Sequence, residues 1–330
     1  MNLVLRGMLS FAILLGAMQF AVAAEAAAAA NDASLAQPST EAAPINWDDN
    51  SGPQWIVKAG AIFLDRSRNN SGPIVTDLGG TTQISGGGDF NFKWGAGPEI
   101  TLSHQCESGN TWEVRYFSIE NRVSTLDYGP QAQFNIAGFF NFGVDDLRAD
   151  AQTDLFNLEF NWLHPLSDQL TFLAGFRTIE LHDQLSYLAE FFPGVDATYS
   201  WDDMNHLYGG QLGAIWALCC PCNPLQVNCT AKAGVYGNSA SSTFTGNTGP
   251  ITDPQGTMTA FVGELDFTFS YQFNEHLAAY GGYDLLWIDG LALAAHDAAL
   301  ATANSNPGAS INTDQGLFYH GATCGLIVSW

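Results

Sequence analysis

The sequence predicts an all-β protein, a transmembrane up-and-down antiparallel β-barrel of about ten strands with short periplasmic turns and long outer loops. Three observations predict it: apolar and polar side chains alternate in many segments, the connections between them alternate long and short, and only 13% of residues are charged while 12% are aromatic. The clearest segment is 257–274, TMTAFVGELDFTFSYQFN, with one aromatic and aliphatic face and one acidic and polar face. It exceeds the roughly five or six residues of an ordinary strand and suffices for a bilayer crossing of about 9–11 residues.

The first 23 residues predict a signal peptide. Arg6 supplies a positive charge, residues 9–20 form an apolar stretch, and Ala21-Val22-Ala23 provides a small-residue cleavage site. Residues 24–53 are rich in Ala, Pro, Asn and Ser and predict a disordered linker. The exported remainder, 54–330, has no apolar run long enough for a membrane helix, so we expect it to enter a membrane only as a closed barrel.

Ten alternating segments follow in order. They are 54–65, 90–103, 110–122, 152–163, 169–183, 204–218, 226–239, 257–274, 276–289 and 317–330. The first places Trp55, Val57 and Phe63 on one face and Lys58 on the other. Long connections, among them 184–203 and 240–256, alternate with short ones such as 164–168, which is the arrangement of outer-membrane barrels. A weaker alternating segment, 131–140, leaves twelve strands as an alternative.

The charge balance excludes one class of partner. Acidic residues outnumber basic ones 33 to 10, giving a net charge of −23, whereas nucleic-acid binding needs a basic surface. The alternation assigns a charged set to the lumen of the barrel. Its members are Lys58, Lys93, Glu99, Glu113, Arg115, Glu159, Arg177, Lys232, Glu264, Asp266 and Asp284.

That lumen set has two interpretations. A charged ring could select solutes in a small channel, with Glu264, Asp266 and Asp284 favouring cations. Alternatively, the charges could pair and fill the barrel, because an eight-stranded barrel is just filled by side chains and open porins use about 16 strands.

The six cysteines are candidates for disulfides, since the chain is predicted to be exported to an oxidising compartment. They are Cys106, Cys219, Cys220, Cys222, Cys229 and Cys324. A zinc–thiolate site at the Cys-Cys-Pro-Cys segment is the less favoured alternative, because paired C-x-x-C elements are missing. No spacing among the seven histidines selects a Ser–His pair, so we predict no catalytic residues, no metal and no cofactor.

Several sequence segments resemble those of a planctomycete β-barrel porin family, whose members are outer-membrane proteins with signal peptides. They are LFNLEFNW at 155–162, FLAGFR at 172–177, NHLYGGQLG at 205–213, KAGVYGN at 232–238 and GYDLLW at 282–287. The resemblance covers about 55–330 and implies an outer-membrane location and a barrel architecture. It implies no substrate and no catalytic residues.

These observations together predict a porin-like passive channel for small hydrophilic solutes in the bacterial outer membrane. The alternatives are a structural or surface-interaction barrel with a plugged lumen, and a soluble secreted β-protein that binds glycans. The expected partners are outer-membrane lipid and the barrel-assembly machinery, which we expect to read the terminal aromatic residue Trp330.

Overall fold

The computed structural model describes residues 54–330 except 69–70, 81, 193–194, 219–223, 248 and 305–310. The predicted signal peptide, 1–23, and the predicted linker, 24–53, lie outside the described residues. In chain order the elements are β1 Gln54–Arg66, β2 Pro73–Thr76, β3 Gln83–Gly86, β4 Trp94–Gln105, β5 Thr111–Asp127, β6 Gln131–Ile136, β7 Phe139–Val144, β8 Asp146–Ser167, β9 Leu170–Phe192, β10 Val195–Ala217, β11 Leu225–Gly246, β12 Gly249–Thr252, β13 Gln255–Gln272, β14 Leu277–Leu291, α1 Ala294–Asn304 and β15 Gln315–Ser329.

Ten of these strands close into an antiparallel barrel. Around the ring the order is β10, β9, β8, β5, β4, β1, β15, β14, β13 and β11, and β11 pairs with β10 to complete it. The first and last strands of the barrel meet where β1 pairs with β15, with Ile56 opposite Ser329. The predicted strand number is therefore confirmed, and β12 is a short extra strand on β11.

An apolar belt surrounds the end of the barrel where β1 begins and β15 ends. Exposed residues such as Leu212, Val235 and Trp287 point outward in this belt. On β1 the belt runs from Trp55 to Phe63, which is about the length needed to cross a bilayer. Tryptophan residues lie at both of its edges, as in membrane barrels, with Trp55 at one edge and Trp287 at the other.

The polarity of the two faces inverts above this belt. On β9 the outward residues change from apolar, as at Phe176, to polar, as at His182, and the inward residues Leu181, Leu185 and Tyr187 are buried. The strands thus continue beyond the membrane with an apolar inner face and a polar outer face.

This inversion explains a difference from the sequence prediction. Segments 184–203 and 240–256 were expected to be long loops, but they belong largely to β9, β10, β11 and β13. Above the membrane, the apolar side chains of each strand point inward and the polar ones outward. A sequence pattern that expects apolar residues on the outward face therefore ends at this point, although the strand continues.

A cap fills the outer mouth of the barrel, opposite the start of β1 and the end of β15. It consists of the four-stranded sheet β3-β2-β6-β7 and helix α1. The inner faces of the extended strands pack against it through Tyr187 and Trp201, which contact a cluster containing Ile74, Phe134 and Ala298. Segment 131–140 forms a hairpin in the cap and not in the barrel, so the twelve-strand alternative does not hold. Among the described residues, no helix combines the length and the apolar character that a membrane span requires.

Candidate functional site in the barrel lumen

Seven charged side chains meet inside the membrane-spanning part of the barrel. We call them the ion cluster, and each occupies an inward position near the middle of its strand. The members are Glu99 on β4, Arg115 on β5, Glu159 on β8, Arg177 on β9, Lys232 on β11, Glu264 on β13 and Asp284 on β14. All seven are buried, so the cluster bridges the lumen and is not a ring around an open pore.

Glu159 lies at the centre of the cluster and is fully buried, with 0% of its surface exposed. Its Oε2 accepts hydrogen bonds from Lys232 Nζ at 2.8 Å and from Gln211 Nε2 at 2.9 Å. Its Oε1 accepts from Asn157 Nδ2 at 3.2 Å and from Arg115 Nη1 at 3.3 Å. The buried carboxylate is therefore compensated by charge and by neutral donors, as a charge removed from water requires.

Glu264 joins the remaining cations. Its Oε2 accepts from Arg177 Nη1 at 2.6 Å, and its Oε1 lies 2.9 Å from Lys232 Nζ. Arg115 also donates from Nε to Glu99 Oε1 at 2.9 Å. Charge-assisted hydrogen bonds of this kind fix side-chain orientation strongly.

The ion cluster contains one more carboxyl group than it contains cations. Four carboxyl groups, on Glu99, Glu159, Glu264 and Asp284, face three cations, on Arg115, Arg177 and Lys232. Asp284 has the weakest compensation, since its Oδ1 lies 3.5 Å from Arg115 Nη2 and neither of its oxygens accepts a hydrogen bond from the described residues.

The other lumen residues from the sequence prediction lie around this cluster. Lys58 Nζ sits 4.6 Å from the ring centre of Tyr280, a cation–π contact. Glu113 accepts a hydrogen bond from Asn161 Nδ2 at 3.2 Å, and Asp266 accepts one from the Thr268 hydroxyl at 2.6 Å.

The prediction for Lys93 was wrong. This residue precedes β4, has a φ of 56° and exposes its side chain, so it is not part of the ion cluster. Strand alternation was applied one residue beyond the start of the strand, where the backbone is no longer extended.

Sequence reasoning missed the neutral members of the network. Gln211 links two strands by donating to Glu159 and to Asn161, and it accepts from the Tyr236 hydroxyl at 3.2 Å. Asn157 accepts from Arg177 Nε at 2.6 Å. The strand alternation already places Gln211 and Asn157 on the inward face, near the charged residues. The lumen candidates predicted from the sequence were all charged residues and therefore did not include them.

An apolar layer closes the lumen above the ion cluster. Inward residues from almost every barrel strand form it and are buried. They include Ile62, Leu64, Phe117, Ile119, Leu155, Ile179, Leu181, Leu207, Val262, Leu286, Ile288 and Leu317. Any solute crossing the barrel would have to displace both this layer and the charges below it.

Two asparagine side chains bind the backbone of the segment at the end of β14 and hold it inside the mouth of the barrel. Asn205 donates from Nδ2 to the carbonyl of Ala292 and accepts from the Ala292 amide, each at 2.8 Å. Asn238 donates to the carbonyl of Gly290 at 2.8 Å. These bonds satisfy backbone groups that are buried below α1, which stabilises this irregular segment.

Above the apolar layer, Arg66 on β1 forms a buried ion pair with Asp183 on β9. The guanidinium group stacks on the ring of Phe92, 4.6 Å from the ring centre. Asp183 also accepts a hydrogen bond from the amide of Ala294 at 3.1 Å, at the first residue of α1.

A second polar group faces outward just above the apolar belt. His182 Nε2 lies 2.6 Å from Asp202 Oδ1 on the neighbouring strand, and Gln184 donates to the other Asp202 oxygen at 2.8 Å. This hydrogen bond to Asp202 raises the pKa of His182 above its ordinary value of 6.5.

The predicted disulfides are not present among the cysteines that the structure describes. Cys106, Cys229 and Cys324 are free thiols. Cys106 follows β4, whereas Cys229 and Cys324 lie on β11 and β15, three places apart around the ring, so the fold keeps these thiols separate. Cys219, Cys220 and Cys222 lie outside the described residues.

No family model and no curated protein matches the chain. Among solved structures, the chain is similar to the outer membrane protease OmpT from Escherichia coli, at 10% identity and a TM-score of 0.45, over 86% of this chain and 98% of that one. It is similar to the translocator domain of the autotransporter NalP from Neisseria meningitidis, at 10% identity and a TM-score of 0.38, over 85% and 89% of the two chains. It is also similar to a FadL homologue from Pseudomonas aeruginosa, at 8% identity and a TM-score of 0.31, over 85% and 90%.

The assignment of the fold rests on the chain's own geometry. Each of the ten strands of the closed antiparallel ring has a neighbour on both sides, and the apolar belt with its aromatic edges matches the hydrocarbon layer of a membrane. The chain is a β-barrel of the bacterial outer membrane.

Proposed function

We propose that this barrel is closed to solute flux and acts at the cell surface, through the sheet that rises above the membrane. The observation that carries the proposal is the blocked lumen, in which the ion cluster, the apolar layer and the cap follow one another along the barrel axis. A barrel with a plugged lumen was the alternative to a passive channel that the sequence left open. The geometry of the lumen supports the plugged barrel better than the channel.

The outer face of the extended strands β8 to β11 supplies a surface for a partner. We call it the acidic sheet face. Its acidic side chains include Asp150, Glu190, Asp196 and Asp202, and Arg148 is a basic residue on the same face. An acidic surface recruits positively charged partners by complementary electrostatics, so we propose a basic protein or peptide as the ligand. We assign no catalysis to the barrel.

Conductance in planar bilayers tests the closed lumen. We expect folded protein to give no stepwise currents. If stepwise currents appear, the barrel is a channel, and neutralising Glu264 and Asp266 should then weaken its cation preference.

Binding of polylysine to the barrel in nanodiscs tests the acidic sheet face. The triple variant Asp150→Asn, Glu190→Gln, Asp196→Asn should bind polylysine at least about tenfold more weakly at low salt. The matched control Glu107→Gln, Asp168→Asn, Glu275→Gln removes the same number of exposed charges at the opposite end of the barrel and should bind as the parent does. Equal loss in both variants would contradict a localised surface.

Two further assignments belong to this proposal. We propose that the barrel-assembly machinery reads Trp330, whose amide and carbonyl pair with Trp55 at 3.0 Å and 2.9 Å and close the barrel at the terminal end. We also propose that the chain belongs to the planctomycete porin family, because its strand segments, such as 155–162, resemble those of that family.

A further inference from the structure

Two carboxyl groups meet inside the outer mouth of the barrel, where β10 faces α1. Asp203 on β10 is 0% exposed, and Asp297 on α1 is 9% exposed. None of their four oxygens accepts a hydrogen bond of normal geometry from the described residues. Buried polar groups are nearly always satisfied, so this pair requires an explanation.

No cation within the described mouth compensates the pair. Arg66 is held by Asp183, and His296 on α1 faces Asp314 with an Nε2–Oδ1 distance of 3.4 Å. The other groups near the pair within the mouth are the hydroxyl of Ser242 on β11, the backbone amide of Asn312 and the carboxylates of Asp183 and Asp314. Asp202 adds its negative charge from the outer face of β10. Two ionised carboxylates in this position would repel each other at low dielectric, whereas one retained proton lets them share a hydrogen bond.

The electrostatics of the two groups agree with a retained proton. Burial raises the pKa of Asp297 to about 7. Burial and the neighbouring Asp297 raise the pKa of Asp203 well above its ordinary value of 3.8. Both residues lie beyond the apolar belt, on the side of the cap.

Helix α1 is held in the mouth by few polar contacts, and Asp297 lies on its buried face in the first turn. At the first residue of the helix, Asp183 accepts from the Ala294 amide. Near its end, the Thr302 hydroxyl donates to the Ile74 carbonyl at 2.6 Å and accepts from the Ala137 amide at 2.9 Å. Between these ends the buried face consists mainly of alanine, which contributes little apolar area per residue.

We propose that Asp203 and Asp297 form a proton-dependent latch that holds α1 in the barrel mouth while the pair is protonated and loosens it when both groups ionise. The direction of the pH dependence follows from the linkage between proton binding and closure. A carboxyl group whose pKa is raised in the closed state binds its proton more tightly there, so closure is most favourable at low pH and weakens as pH rises toward and through about 7. The latch does not depend on the proposed surface function.

Hydrogen exchange of the full chain in nanodiscs, measured by mass spectrometry, tests the latch. After correction for intrinsic exchange, peptides covering 294–304 should lose about tenfold or more of their protection between pH 5 and pH 8. Asp297→Asn removes one of the two titrating groups and should reduce the fall, and the double variant Asp203→Asn, Asp297→Asn should give equal protection at both pH values. Asp196→Asn, an exposed acid on the same strand as Asp203, should retain the parental fall.

Three outcomes overturn the proposal. One is equal protection of the parent at pH 5 and pH 8, and another is a pH-dependent fall of the parental size in the double variant Asp203→Asn, Asp297→Asn. The third is restoration of protection at pH 8 by millimolar CaCl₂ in the parent but not in Asp297→Asn, which would make the pair a cation site. Asp203→Asn provides a second variant, and heat-modifiable mobility on SDS gels verifies the folding of each barrel before exchange.

Discussion

Arg115 Nη1 on β5 lies 2.5 Å from Glu264 Oε1 on β13, and these strands are five places apart around the ring in either direction. The two side chains therefore meet across the full width of the lumen. Because each also bonds to other charged residues, this bridge connects both walls of the barrel into one network. Among the described residues, side chains of the barrel wall itself close the lumen at this height.

Removing Arg115 should be costly. Arg115→Met leaves Glu99, Glu264 and Asp284 buried without their shared cation, so we expect the free energy of unfolding to fall by about 3–5 kcal/mol. Urea unfolding monitored by tryptophan fluorescence measures it. Arg148→Met removes an arginine whose side chain is 51% exposed and should change the value by less than about 0.5 kcal/mol. A double variant with Glu264→Gln should lose less than the sum of the two single changes, and strict additivity would contradict a direct bridge.

The titration of His182 should depend on Asp202. Its pKa is raised by the hydrogen bond to Asp202, so the stabilisation from this pair is fully present below about 6.5 and is lost as pH rises through the folded-state value. NMR titration of ring-labelled protein should therefore show a pKa above 6.5 that falls in Asp202→Asn. An unchanged value in that variant would show that the pair in the structure does not form in solution.

The polarity inversion on β11 predicts opposite responses to one substitution on the same outward face. Val235 is 62% exposed in the apolar belt, and Val235→Arg should destabilise the barrel in lipid vesicles by about 2–4 kcal/mol. Ser241 lies six positions further along the same face, and Ser241→Arg should cost no more than about 1 kcal/mol. Equal costs, measured by reversible unfolding in vesicles, would place the membrane boundary elsewhere.

Asn205 should control access to the segment below α1. Asn205→Ala leaves the buried amide and carbonyl of Ala292 without partners, at a cost of about 1–3 kcal/mol. We expect faster proteolysis within 290–315 and a lower unfolding midpoint. His206→Ala, on the outer face of the same strand, should leave the proteolysis rate unchanged. Similar rates in both variants would mean that Asn205 does not hold this segment.

Strand alternation predicted the barrel well because lipid and lumen impose opposite demands on successive side chains. It placed residues such as Glu159 and Arg177 on the inward face from their position alone. It gave no information on which inward residues lie at the same height, and Arg115 and Glu264 are 149 positions apart in the chain. The choice between channel and plug therefore required the structure.

The parts above the membrane were harder to predict. There the apolar residues turn inward, as at Tyr187 and Trp201, to pack on the cap, and the rule used for the membrane region no longer applies. The short cap strands, such as β2 with four residues, carry too little pattern to identify a second sheet.

The inversion of the strand faces also fixes how deep the barrel sits. Sinking by one pair of residues along the strands would carry polar side chains such as Glu180 and Asp154 into hydrocarbon, and rising by the same step would expose residues at the outer edge of the belt, such as Trp287, to water. The same boundary constrains changes in strand length. A deletion of two residues preserves the orientation of every side chain, whereas a deletion of one exchanges the lipid-facing and inner surfaces beyond it. Strands of this barrel should therefore tolerate length changes in steps of two.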